Sequence, residues 1–167
     1  MLYLTQDATQ QIIEDAVNTF PDECCGFLLG REENEDRIID KIIVVNNAKE
    51  GDKRRRFEIS PLDYLNAERY AEDHHLILLG VYHSHPNHPS VPSEHDRVVA
   101  QPYFSYIIVS VQQGEFANLQ SWRLNDDFQF EEEQVQDVRL ATFSKSQIPV
   151  GAISSESNLP VGEDTNR

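Results

Sequence analysis

Apolar residues recur at every fourth position from Ala8 through Ile12 and Ala16 to Phe20, which predicts an amphipathic helix capped by Thr5. Pro21 and Asp22 break it. The apolar run 24–29, closed by Gly30, reads as a short buried strand with Glu23 at its mouth. Polar residues 31–36 read as a hairpin connection into a β-branched strand over 37–45, ended by Asn46 and Asn47. The charged stretch 48–56 is expected to be a loop. Ser60 before Pro61 marks a helix start, with Leu62, Leu65 and Tyr70 expected toward the core and an end near Asp73. His74 and His75 then fall where a cation suits the helix dipole and read as capping residues.

Residues 76–82 are nearly all apolar, the pattern of a central strand covered on both faces, and they lead directly into His83. A Pro- and Ser-rich loop follows. A short helix is predicted over 93–100, then strands over 103–111, 119–124 and 128–135, with a turn around Gly114. Strands mixed with helices predict an α/β or α+β domain. Beyond Phe143 the sequence is rich in Ser, Gly and acidic residues with isolated aliphatics, so one domain is expected over 1–143 and a flexible tail over 144–167. No internal repeat is visible.

Composition narrows the function classes. The 167 residues carry 14 Lys and Arg against 29 Asp and Glu, a net charge of −15 that disfavours nucleic-acid phosphates and anionic lipid as partners. Proteins or small molecules fit better. No apolar run is long enough to cross a bilayer and the first residues lack a basic-then-apolar leader, so a soluble, cytoplasmic protein is expected. The two cysteines, Cys24 and Cys25, are adjacent; they suit neither a disulfide framework nor a spaced zinc site and read as strand-packing residues. The basic cluster Lys53, Arg54, Arg55 and Arg56 stands alone, as a solvated loop or as a contact for an acidic partner.

The chemically informative stretch is His83, Ser84, His85 and Pro86, followed by Ser93 and Asp96. Residues two apart on a strand share a face with their Cα atoms roughly 6.5–7 Å apart, so His83 and His85 can lean toward one ion while Ser84 points away. Pro86 cannot donate to a sheet ladder and should end the strand beside the site. Asp96, in the first turn of the short helix, can return as a third ligand. Two imidazoles and one carboxylate leave the fourth zinc position open, and three ligands plus water lower the water's pKa to about 7. Glu23 is the candidate general base, and Ser93 could donate to a developing oxyanion. Ser93 and Asp96 also fit an acidic capping box, a role compatible with catalysis. His88 and His95 read as loop residues rather than ligands.

Taken together, Glu23, the His83-Ser84-His85-Pro86 run, Ser93 and Asp96 resemble the signature of the JAMM (MPN-plus) metalloproteases in their compact prokaryotic form. The flanks "PDECCGFLLG", "RFEISPLDYLNAERYAE" and "LLGVYHSHP" agree, and the resemblance covers about residues 1–135. It implies a mixed curved sheet flanked by helices in a three-layer arrangement like that of cytidine deaminases. It further implies zinc held by His83, His85 and Asp96, Glu23 as base and then acid, and Ser93 as a transition-state donor. The implied substrate is the peptide or isopeptide bond at the C-terminal tail of a ubiquitin-like protein, commonly a β-grasp sulfur carrier. A non-catalytic interaction scaffold of the same fold is the alternative. A zinc deaminase is disfavoured because the chain lacks a Pro-Cys-x-x-Cys ligand segment.

Overall fold

A computed structural model of the chain describes residues 1–136. The expected domain limit at 143 and the tail 144–167 lie outside the described residues. Thr5 accepts a hydrogen bond from the Ala8 amide and starts α1 (Gln6–Thr19), which buries Ala8, Ile12 and Ala16 as its periodicity requires. Ser60 accepts from the Asp63 amide with Pro61 next in line, starting α2 (Pro61–Asp73). This helix corrects one expectation. Leu62 and Leu65 are 63% and 41% exposed, and the buried positions are Ala67 and Ala71, with Tyr64 and Tyr70 packed partly beside them. Small alanines let α2 lie close to the sheet, whereas the leucines sit at the rim.

The strands are β1 (Leu2–Leu4), β2 (Cys25–Glu33), β3 (Asp36–Val45), β4 (Ile77–Pro86), β5 (Ser105–Gln112), β6 (Glu115–Leu124), β7 (Phe130–Glu133) and β8 (Val135–Gln136), with α3 (Glu94–Val99) between β4 and β5. They form one mixed sheet in the order β7-β6-β5-β4-β2-β3-β1-β8. The expected connection over 31–36 is mostly strand. Only residues 34–35 turn, with Asn34 at φ 57°, a left-handed conformation that asparagine tolerates. β7 and β8 pair at opposite ends of the sheet yet are separated by Gln134 alone, so the two ends must meet and the sheet must curl. The fold is the mixed, curved sheet flanked by helices that the resemblance implied.

Two apolar clusters cover the sheet. One joins α1 to Leu28, Leu79, Tyr82, Ile107 and Val109; the other joins α2 to Phe27, Leu29, Val81 and Tyr106. Alternation along β2 sends Leu28 to one face and Phe27 and Leu29 to the other, as a strand covered on both sides requires. Along β4 the alternation is broken once. Leu28 pairs with Gly80 and Leu29 with Leu78, so Leu79 is an extra residue in a bulge. Leu78 faces α2, Leu79 faces α1, and Val81 faces α2 again. A one-residue slip transfers every later side chain to the opposite face, so the bulge decides the face on which His83 and His85 emerge.

Two residues hold that bulge. Gly80 permits a close approach of β5, since a Cβ there would lie 1.9 Å from the Ser105 carbonyl oxygen. The buried Arg37 donates to the Leu79 carbonyl at 3.1 Å and to Ser105 Oγ at 3.0 Å, pairs with Glu32 at 3.2 Å and stacks on Tyr103. A buried cation survives only with such partners.

Candidate metal centre and active-site cleft

β4 delivers His83 and His85 at the end of the parallel β4–β5 pair, where β4 ends at Pro86 as expected. Ser84 points to the opposite face, where its Oγ accepts from the Cys24 amide at 2.8 Å and ties β4 to the start of β2. Asp96 arrives from the first turn of α3. Its amide donates to Ser93 Oγ at 3.1 Å, and its Oδ2 accepts from the Ser93 amide at 2.8 Å. The capping box therefore aims the carboxylate, with Oδ1 toward His83 and Oδ2 toward His85.

His83 Nε2 lies 3.1 Å from His85 Nε2 and 3.4 Å from Asp96 Oδ1, and His85 Nε2 lies 3.3 Å from Asp96 Oδ2. A tetrahedral ion with bonds of about 2.0–2.1 Å sets its ligand atoms about 3.3–3.4 Å apart, so the three side chains have the spacing of a metal site. These three residues form the cluster of potential ligands found among the described residues. His85 Nδ1 lies 2.8 Å from the Pro89 carbonyl oxygen, which can only accept. The proton is thus placed on Nδ1 and the Nε2 lone pair is directed into the cluster. His83 stacks on Phe57 with ring centroids 4.4 Å apart, and its buried Nδ1 has no hydrogen-bond partner among the described residues. Burying an imidazole with an orphaned nitrogen is costly, which fits a ring retained for what its other nitrogen binds.

Burial lowers the His83 pKa despite the neighbouring Asp96, which favours the neutral imidazole, the form that ligates a metal. For Asp96, burial disfavours the charge, but the adjacent His83 and the hydrogen bond from the Ser93 amide hold it well below the usual carboxylate range. Glu23 is only 4% exposed rather than a solvated turn acid. Burial and then the negative charge of Asp96 push its pKa up to about 9, while Arg56 pulls it down. A cation in the cluster would favour ionisation of Glu23.

Glu23, His85 and Ser93 line one cleft of about 830 Å³. Ser93 Oγ accepts within the cap, so its own proton remains free to donate into that cleft. His88 lines the cleft and His95 lies 3.0 Å from Arg56, and neither enters the ligand cluster. Cys24 and Cys25 are buried, and burial pushes the Cys25 thiol up to about 12, so both pack rather than react.

Sequence reading missed three supporting residues. Asn47, read as a strand terminator, donates to the carbonyls of Glu23 and Arg56 and accepts from the Lys49 and Glu58 amides. Phe57 backs His83, and Pro89 sets the His85 tautomer. A carbonyl contact leaves no trace in residue type, and an Asn after a strand looks like any turn residue.

A curled mixed sheet that presents two histidines from a strand end and an aspartate from the next helix defines the JAB/MPN class of domain. Residues 5–125 match the family described as prokaryotic homologs of the JAB domain, and the chain belongs to that family. A desampylase from Pyrococcus furiosus is 35% identical over 74 residues, 44% of this chain and 49% of that protein, so the chain spans about half the length of this relative. Solution structures of proteins from Desulfitobacterium hafniense and Salinibacter ruber match with TM-scores of 0.72 and 0.63 at 28% and 35% identity. They cover 81% and 80% of this chain and 92% and 89% of their own. The crystal structure of a JAB1/MPN domain protein from Archaeoglobus fulgidus matches at TM-score 0.52 and 18% identity over 82% of this chain and 98% of its own, a likeness of fold.

Proposed function

We propose that this chain is a zinc-dependent hydrolase of the JAMM type that cuts a peptide or isopeptide bond at the C-terminal tail of a ubiquitin-like protein, of the β-grasp sulfur-carrier kind. The observation that carries this reading is the convergence of His83, His85 and Asp96 at tetrahedral spacing beside a cleft that Glu23 and Ser93 also line. The match to a protein named desampylase points the same way.

His83 Nε2, His85 Nε2 and Asp96 Oδ1 would hold the zinc, a donor set that suits this borderline ion. Zinc, when bound, acidifies a water and polarises the scissile carbonyl. The carboxylate of Glu23 accepts the proton of the attacking water and delivers it to the departing amine, which needs both protonation states of one group within one turnover. Ser93 Oγ–H donates to the carbonyl oxygen as negative charge develops on it. The capping box and the Pro89 carbonyl keep Asp96 and His85 in place without reorganisation.

The test is incubation of the full chain with candidate β-grasp proteins that carry C-terminal extensions, with and without a chelator, read by intact mass. Loss of the extension confined to the untreated sample supports the proposal. Tight binding of a partner that survives chelation, with no mass change in any sample, would replace it by the scaffold reading.

A further inference from the structure

Lys and Arg number 14 in the chain, and four of them are consecutive at 53–56, in a protein of net charge −15. The segment is not a free loop. The Glu23 amide donates to the Lys53 carbonyl at 2.7 Å, and Asn47 bridges the carbonyls of Glu23 and Arg56. The backbone that carries the arginines is therefore stapled to the backbone of the proposed base. Arg54 and Arg55 line the same cleft as Glu23, His85 and Ser93.

The three arginines differ in what they already hold. Arg56 lies 3.0 Å from His95 and is not among the residues that line that cleft. Arg55 makes an exposed 3.6 Å pair with Asp52, the kind of contact that exchanges readily. The Arg54 guanidinium has no ion-pair partner among the described residues. An unneutralised guanidinium at the edge of a partly enclosed cleft is a ready fork for a carboxylate, whose two oxygens match its geometry.

Resting on the hydrolytic reading above, we propose that Arg54 and Arg55 form a carboxylate-binding subsite, so that the preferred substrate presents a carboxylate within a few residues of the scissile bond. An acidic protein surface is a poorer fit, because the rest of this molecule repels it. A cleft of about 830 Å³ has the size of a small-ligand pocket and takes a short length of chain. The carboxylate has two chemical sources: the terminal carboxylate of a short leaving segment, or an Asp or Glu side chain of the tail.

The test uses the full chain, loaded with zinc, in the Glu23→Gln background to prevent turnover. Three fluorescein-labelled tail peptides of one sequence are compared by anisotropy: free acid, C-terminal amide, and an amide with one internal Asp. The free acid, the internal Asp peptide or both should bind about 10-fold more tightly than the plain amide, through a charge-assisted bidentate contact. Whichever is tightened identifies the source. R54A/R55A should erase the preference, and R54K/R55K should restore part of it. Equal binding of all three peptides, or a preference that survives R54A/R55A, overturns the subsite. Wild-type cleavage assays separate the two claims. Equal cleavage of all three peptides would leave the hydrolase standing and remove the subsite. Arginine-dependent binding with no cleavage by wild type would do the reverse.

Discussion

As the proposed base, Glu23 has to be shielded from bulk solvent and has to face the cleft that the ligand cluster also lines. Its burial meets the first need, and its place in the wall of the cleft meets the second. Glu23→Gln keeps shape and removes proton transfer. Turnover should fall by about 10²–10⁴-fold while bound zinc stays near one per chain, measured by a cleavage assay and metal analysis on the same sample. The same variant has a stability consequence in protein stripped with a chelator. The folded pKa of Glu23 lies above the unfolded value of 4.5, so below pH 4.5 the group costs nothing. As pH rises toward 9 the unfolded chain ionises and the folded chain does not, so stability falls through that window. Stripped Glu23→Gln should therefore melt a few degrees higher than stripped wild type at pH 8 and match it at pH 4, by calorimetry at both values.

At the scale of elements, the site depends on one extra residue in β4. Without the Leu79 bulge, the face carrying Val81 would carry Tyr82, and His83 would turn toward α1, away from Asp96. Gly80 tests this, because its alanine variant would push a Cβ against the Ser105 carbonyl. Gly80→Ala should cost about 3 kcal/mol through overpacking and should reduce zinc affinity as well, because β4 and β5 must separate. Calorimetry and a competitive zinc titration on one preparation check both effects. The helix starts were legible because Thr5, Ser60-Pro61 and Ser93 each announce a cap in residue type alone. The inward face of α2 was misread, since two alanines carry a weaker apolar signal than the leucines that ended at the rim.

Over the whole molecule, the sheet curls until the chain between β7 and β8 spans its two ends, and strands distant in sequence meet there. β1 and β8 escaped sequence reading because two or three residues show no periodicity, and their pairing comes from neighbours across the curl. Zinc binding should link to the stability of this whole domain, since the three ligands come together only when β4 and α3 are folded. With free zinc at about 100 times its dissociation constant, the added stability is about 2.7 kcal/mol. Chelation should then lower Tm by about 5–10 °C. His83→Ala should melt at the same temperature with and without chelator; a persistent shift would place the ion elsewhere.

The amino-acid sequence alone determined which side chains could do the chemistry and roughly which elements carry them. The His-Ser-His-Pro run, the cap at Ser93 and the acid at 23 are local signals of residue type and spacing. Tertiary structure decided the rest: the face on which the histidines emerge, the burial that raises Glu23, and the staple that brings Arg54 and Arg55 into its cleft. Those outcomes come from a bulge, a curled sheet and backbone carbonyls, whose effects depend on partners far along the chain and so leave no mark in any short stretch of it.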